Sequence, residues 1–391
     1  PASYPTLPLG VTYRVPALLY IPSDTLLAFA EKRSSARDED AEYLVLRRGR
    51  KTGTSAAQHL WGPREPLTSA VLLGYRTMSP CLVYERKSQT VFLFFICVRQ
   101  HVSEQWQIWT GQNAARLCYV WSGDAGQTWS SLTDLTEQVI GEDLKDWATF
   151  AVGPGHGVQL RSGRLVIPAY AYHITARCCH LPLPWGTQPR SLVFYSDDGG
   201  QRWHKGELIE GMKTGECQVA EVACQACDPV LYCNARTPCR CRAAAFSTDQ
   251  GLTFESPSSC KKLCEPPHGC QGSVMDGAEE PDAPAHQTTC LTVSWLLYSH
   301  PMDKCKRPRG VELGAGGRSD GDSCNGRWGG RSDGAGGSWQ WGAGGQVGCS
   351  GRGIRCKGGG GSSDGGGGFG AMGDGGRSDG VGGIPGCTSG R

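Results

Sequence analysis

Ser122-Gly123-Asp124-Ala125-Gly126-Gln127-Thr128-Trp129 follows the apolar run Leu117-Cys118-Tyr119-Val120-Trp121. The same form returns as Ser196-Asp197-Asp198-Gly199-Gly200-Gln201-Arg202-Trp203 and as Ser247-Thr248-Asp249-Gln250-Gly251-Leu252-Thr253-Phe254, at intervals of 74 and 51 residues. Each copy comes directly after a strand-like run, Ser191 to Tyr195 and Ala243 to Phe246. The shared pattern is Ser-x-Asp-x-Gly-x-Thr-aromatic, with Arg202 replacing the threonine in the second copy. Ser and Asp side chains satisfy the amides of a tight turn. Gly permits positive φ, and the aromatic returns the chain to the core. A hairpin turn repeated at such intervals predicts one turn per four-stranded blade, hence a β-propeller.

The surrounding sequence agrees. Short apolar runs separated by turn residues predict strands at Leu26–Ala30, Tyr43–Leu46, Val91–Val98, Leu165–Pro168 and Val293–Tyr298, with one short helix over Leu132–Ile140. From Gly310 onward the character changes, because 34 of the 57 glycines fall in the last 82 residues. That segment holds Gly-Gly-Arg-Ser-Asp-Gly three times and has few apolar side chains, so it cannot bury enough surface to offset its ordering entropy. The expected organisation is a β domain over residues 1–313 and a disordered Gly-rich tail over 314–391.

Charge and composition exclude several functions. With a net charge of +2 in 391 residues there is no nucleic-acid footprint, and Arg and Asp alternate in the tail. The longest apolar run, Val91 to Val98, is a buried strand rather than a membrane span. Of 20 cysteines, Cys81, Cys97 and Cys118 lie in strand-like runs as small buried hydrophobes, which favours a reducing compartment. Cys224-Gln225-Ala226-Cys227 with Cys239-Arg240-Cys241 has the wrong spacing for a zinc site, and no metal or other cofactor is expected.

One stretch carries chemistry. Tyr13-Arg14-Val15-Pro16 precedes the apolar Ala17-Leu18-Leu19-Tyr20, and the dense charged segment Glu31 to Asp40 follows the next strand. Charges crowded this close to buried strands point to a pocket. Arg-x-Pro followed by repeated Asp-turn hairpins resembles the sialidase (neuraminidase) family. Ala30-Glu31-Lys32-Arg33, Leu44-Val45-Leu46-Arg47-Arg48-Gly49, Thr149 to His156, Glu265 to Ser273 and Leu297-Tyr298-Ser299-His300-Pro301 resemble its vertebrate membrane-associated, ganglioside-cleaving branch, from about Val11 to about Gly314.

The resemblance implies an all-β, six-bladed propeller, incomplete at its C-terminal blades, and an exo-α-sialidase that hydrolyses terminal sialic acid with retention. Its substrates would be gangliosides and related glycoproteins, and its location the plasma membrane, peripherally, with cytoplasmic or endosomal/lysosomal pools. Three arginines hold the sialic acid carboxylate in the family. Arg14 matches the first and Arg236 the second, while Arg309, with Arg307 as rival, stands nearest the third. Asp38 matches the general acid/base, and Arg33 with Glu31 matches the support of the carboxylate pocket. Glu216, with Glu221 as runner-up, matches the glutamate that activates a tyrosine nucleophile. Met78, Glu104, Tyr170, Tyr172 and Gln271 match sugar contacts, although Ser79 stands where relatives have asparagine. No residue matches the nucleophile, since Tyr298 is the last tyrosine of the sequence. The alternative is therefore a truncated, catalytically inactive homologue.

Overall fold

The computed structural model describes residues 10–51, 59–179, 181–183, 186–222, 228–277, 295–300 and 312–316. They form five successive antiparallel sheets arranged as propeller blades. The first blade holds β1 (Thr12–Ile21), β2 (Thr25–Arg33), β3 (Ala41–Lys51) and β4 (His59–Pro66) in spatial order 1-2-3-4. The second holds β5 (Tyr75–Glu85), β6 (Thr90–Arg99), β7 (Ala115–Ser122) and β8 (Thr133–Asp134), with helix α1 (Glu104–Thr110) inserted between β6 and β7.

The third blade is elaborated. β9 (Trp147–Val152), β11 (Val158–Gln159), β12 (Leu165–Ile174), β15 (Thr187–Ser196) and β16 (His204–Lys205) belong to it, while β10 (Gly155–His156) crosses to lie parallel to β5. The small hairpin β13 (Arg177–Cys178) and β14 (Leu181–Pro182) extends from it. The fourth blade is β17 (Cys217–Val222), β18 (Val230–Ala235), β19 (Cys241–Ser247) and β20 (Ser258–Cys264). The fifth is β21 (Ser273–Gly277), β22 (Trp295–His300) and β23 (Glu312–Gly316).

Separate apolar cores lie between neighbouring blades. Leu27, Phe29, Leu44 and Leu46 of the first meet Leu82, Leu93 and Phe95 of the second. Phe92 and Phe94 of the second meet Phe150, Ile167 and Phe194 of the third. Val166 and Val193 meet Val219 and Leu231, and Ala220 meets Val274 and Tyr298. A strand presents alternate residues to opposite faces, so each blade feeds two cores.

The repeated turns stitch these cores. Gly126 N donates to Ser122 Oγ at 2.9 Å, and the amides of Gln127 and Thr128 donate to Asp124 Oδ1 at 3.0 and 2.9 Å. These bonds, the Thr128 hydroxyl's first among them, hold the Asp124 carboxyl down at about 2. Trp129 Nε1 then donates to Gly126 O at 3.2 Å, and its ring meets Phe29 of the preceding blade edge-on, centroids 5.7 Å apart. Trp203 likewise sits 4.5 Å from Phe94 of the preceding blade, and Phe254 packs against the core between the third and fourth blades. The sequence expectation for the turns holds. Each aromatic lands between its own blade and the one before.

Other expectations fared differently. All the strands predicted above lie in strands, save Val293 and Ser294, which are outside the described residues. Leu132–Ile140 is not an α-helix: it contains β8 and a π-helical turn over Thr136–Ile140, because Asp134 Oδ1 accepts from the Thr136 amide and hydroxyl and interrupts the regular ladder. The α-helix stands instead at Glu104–Thr110. Strand β23 continues past the domain boundary expected at 313/314. The sixth blade has no counterpart among the described residues, and the Gly-rich tail beyond Gly316 lies outside them. Cys81, Cys97 and Cys118 are buried free thiols.

Candidate active site

Strand direction decides which loops share an end. β2 ends and β3 begins around the charged turn at 34–40, β4 ends where β5 begins, and β6 ends where β7 begins. These connections, with those between β12 and β15 and between β18 and β19, lie at the end of the blades opposite the Asp turns. A cavity of about 490 Å³ opens there.

Its first wall comes from blade one. The β1–β2 register slips between Arg14 and Ala17, where Val15 takes a φ of +53°, and Arg14 is aimed at the cavity. Arg14 Nη1 donates to Ala36 O at 2.8 Å and lies 3.9 Å from Asp38 Oδ1. Arg33, fully buried at the end of β2, donates from Nε to Glu31 Oε2 at 2.8 Å and from Nη1 to Asp38 Oδ1. Burial pushes the Glu31 carboxyl up and the neighbouring Arg33 guanidinium opposes it. Asp38 itself is 54% exposed, so an anchored carboxylate stands open to the cavity.

Glu31 has a second task. Its Oε1 accepts from the Ser79 amide at 2.7 Å, in the bulge between Met78 and Cys81. Ser79 has a φ of +57°, a left-handed conformation in which asparagine is enriched several-fold. That explains the asparagine expected there and shows why serine leaves the backbone role intact.

The opposite wall comes from blade four. Glu216 immediately precedes β17 and Arg236 immediately follows β18. Their backbones exchange bonds, with Arg236 N donating to Glu216 O and Gly215 N to Arg236 O, both at 2.9 Å. Arg236 Nη1 donates to Glu216 Oε2 at 2.7 Å, and Nε to His268 O at 2.9 Å. The runner-up Glu221 points elsewhere: it is buried, accepts from the Arg161 amide at 2.9 Å and does not line the cavity.

Tyr170 and Tyr172 alternate onto one face of β12 and line the cavity with ring centroids 6.2 Å apart. Burial, then Glu104, pushes both phenols up, which makes them harder to ionise. Glu104 opens α1, whose N-cap Ser103 accepts from the Trp106 amide. Its side chain is open to the cavity, yet the protein mass around it, followed by the charges of Asp38 and Glu216, pushes it up to about 7. Met78 lines the floor. Gln271 does not join the lining; its Nε2 donates to Pro154 O at 2.6 Å. Arg309 and Arg307 lie outside the described residues. Tyr298 packs into the core between blades four and five beneath Arg242, 5.8 Å from the guanidinium, and does not reach the cavity.

The sequence reading missed Arg76, Gln107, Lys213 and His268 in this lining. Arg76 is buried and donates to Arg99 O and Val102 O at 2.9 and 2.7 Å, fixing the chain just before α1. Only the Ser103…Gly111 capping pair, Gly111 having a φ of +65°, signals that helix in the sequence. Among the described residues no group of three or more His, Cys, Asp or Glu is disposed to hold a metal, and Cys224 and Cys227 lie outside them. The lining therefore brings the Arg14 and Arg236 guanidinium groups in from two non-adjacent blades, with Arg33 and Arg76 between them, the exposed Asp38 carboxylate, and Glu216 paired to Arg236. That donor set suits an anionic ligand with a cleavable oxygen beside it.

Comparison with known proteins agrees. The BNR repeat-like domain matches residues 24–281. The chain is 55% identical to human Sialidase-3 over 330 residues, covering 78% of this chain and 76% of that protein. It is 54% identical to mouse Sialidase-4 over 267 residues, covering 68% of this chain and 54% of that protein. Among solved structures, the Hadza microbial sialidase Hz136 superposes with a TM-score of 0.61 at 24% identity, covering 78% of this chain and 56% of that one, which supports the fold. With the propeller, the cavity and these relatives together, the chain belongs to the sialidase (neuraminidase) family.

Proposed function

We propose that this protein is an exo-α-sialidase that releases terminal sialic acid from glycolipids of the ganglioside class and from related glycoproteins, with retention at the anomeric carbon. The observation that carries the reading is convergence: Arg14, Asp38, Glu216 and Arg236 come from two non-adjacent blades and face one cavity. Arg14 and Arg236 hold the substrate carboxylate by charge-assisted hydrogen bonds. Asp38, positioned by Arg33, gives its proton to the glycosidic oxygen as the bond to the anomeric carbon breaks, then takes a proton from the incoming water. Glu216, hydrogen-bonded to Arg236, is placed to accept the proton of the tyrosine nucleophile that the retaining scheme requires. Work at the plasma membrane as a peripheral protein, with cytoplasmic or endosomal/lysosomal pools, belongs to the same proposal.

A second reading rests on one observation. Tyr170 and Tyr172, the tyrosines that line the cavity among the described residues, are held in their neutral form. A chain that binds sialosides without cleaving them fits this. Hydrolysis of a fluorogenic sialoside separates the readings: turnover abolished in Asp38→Ala supports the enzyme, and turnover untouched by that change removes Asp38 from its role. Saturable sialic acid binding without turnover supports the binder. The anomer first released, followed by NMR, tests retention.

A further inference from the structure

Two thiols stand side by side near the cavity. Cys178 ends β13 and Cys179 begins the turn that follows, and both are exposed. Neighbours in an extended strand send their side chains to opposite faces. Cys179 instead takes a φ of +51°, a left-handed conformation that glycine, asparagine and aspartate adopt more readily. That twist brings the two sulfurs onto one side, with Sγ to Sγ 3.8 Å, open to solvent. The buried thiols of Cys81, Cys97, Cys118, Cys217 and Cys233 lack this access, and thiol chemistry follows exposure.

The hairpin that carries the pair supports the cavity wall from behind. It grows out of the end of β12, the strand that brings Tyr170 and Tyr172 to the cavity. Its base is closed by backbone bonds, Leu183 N to Ala176 O at 3.0 Å and Thr175 N to Gly186 O at 2.6 Å. Along one side it meets the C-cap of α1, where a Cβ added to Gly111 would come within 2.7 Å of Pro182 Cγ and 3.0 Å of Arg177 Nη1. Arg177 Nη2 also donates to Lys145 O at 2.6 Å, just ahead of β9. α1 turns Glu104 and Gln107 to the cavity and leaves Trp106 and Trp109 exposed, while the hairpin braces its C-terminal end. A helix of seven residues has little stability of its own and keeps its place through such contacts.

We propose that Cys178 and Cys179 form a redox-active modification site that exchanges with low-molecular-weight disulfides such as glutathione disulfide, closes into a disulfide between neighbours and thereby loosens the brace on α1. One protein thiolate attacks the small disulfide, giving a mixed disulfide and one small thiolate. The neighbouring sulfur, deprotonated in turn, displaces the second small thiolate as the 178–179 bond forms. Two protein thiols are oxidised, one small disulfide is reduced, and the two protons end on the two released thiols. Adjacent Cα atoms are about 3.8 Å apart, closer than in an ordinary disulfide, so the bridge is labile and works as a reversible mark rather than a staple. Drawing the sulfurs together reshapes the hairpin beside Pro182 and Arg177, where the packing on Gly111 leaves no slack. None of this requires turnover, so the site stands apart from the cleavage of sialosides.

The test incubates the full chain with glutathione disulfide, alkylates the remaining thiols and maps the peptides by mass, alongside Cys178→Ser and Cys179→Ser. Both side chains are exposed, so the serine variants should keep the fold, which equal melting temperatures verify. The expected product in the parent is an unalkylated peptide holding both cysteines, lighter by two hydrogens than its reduced form and restored by excess reduced glutathione. Each serine variant should stop at a glutathione adduct on its remaining cysteine, because the resolving sulfur is gone. Amide hydrogen exchange in residues 103–112 should quicken about threefold or more in the oxidised parent and in neither variant. A stable glutathione adduct in the parent, or two thiols that both remain open to alkylation, overturns the site. So does oxidation confined to another pair, such as Cys241 and Cys264, which face each other across β19 and β20. Closure that leaves exchange in α1 unchanged overturns the brace.

Discussion

The two ends of the propeller use interactions of different reach. At the Asp-turn end each motif closes its serine and aspartate hydrogen bonds within eight residues, and its aromatic crosses to the preceding blade. At the cavity end the bonds that assemble the walls reach further: Glu31 to the Ser79 amide, Arg14 to the Ala36 carbonyl and Arg236 to Glu216. One end is a repeated fastener and the other a single assembly of loops. Stability and chemistry should therefore separate when each end is damaged.

The largest effect is expected at Asp38. Asp38→Ala should lower kcat about 10²–10⁴-fold, the usual contribution of a positioned acid/base, while the melting temperature stays unchanged because the carboxylate is open to solvent. Loss of thermal stability instead would show that the Arg33–Asp38 contact serves the fold.

Arg236→Ala comes next. It removes one clamp on the substrate carboxylate and leaves Glu216 without its partner, a loss of about 2–5 kcal/mol for a charge pair broken on one side. The expected signature is a rise in KM or Kd for sialosides together with a lower kcat. An unchanged affinity would break the clamp assignment.

At the other end, Gly200→Ala should act on stability alone. Gly200 has a φ of +91°, and a Cβ there would lie 2.2 Å from the Phe92 ring, so backbone strain and overpacking combine to about 2–4 kcal/mol. Denaturant midpoint should fall while activity per folded molecule holds. Asp124→Ala should cost less, about 1–2 kcal/mol, because its hydrogen bonds are partly solvent-screened. The sign with pH is fixed by its depressed pKa. The contribution is complete above the unfolded carboxylate's pKa and fades as pH falls towards about 2, so parent and variant should converge in acid.

The smallest effect concerns Glu104. Below pH 7 it carries a proton, and above pH 7 it adds a negative charge to a cavity that receives a carboxylate. KM should rise several-fold as pH passes through about 7. Glu104→Gln should flatten that rise without abolishing turnover, and a profile unchanged by the substitution would remove Glu104 from the titration.

How much was legible follows the same division. The turns were readable because their serine, aspartate, glycine and aromatic act within one short window, and three copies confirm each other. Asp38, Glu216 and Arg14 could be singled out only because adjoining words of sequence resemble the family. Glu221 was a fair rival to Glu216 on spacing; strand alternation sends it to Arg161 instead. Gln271 matches a sugar contact yet bonds Pro154 O, and Arg76 escaped notice because nothing local marks an arginine whose partners are two carbonyls more than twenty residues away. Helix α1 was passed over because its aromatic residues follow no core-facing period. Its tryptophans do not face a core.

By itself the sequence determined the blade architecture, since strand runs and Asp turns depend on local sterics and on hydrogen bonds closed within a few residues. It also supplied the chemical types at the site. Only the tertiary structure decided which groups meet, because Arg236 with Glu216 and Glu31 with the Ser79 amide are joined by strand pairing and blade packing rather than by spacing. It likewise decided that α1 turns one face to the cavity and the other to solvent, for a helix seven residues long acquires its orientation from the loops that hold it.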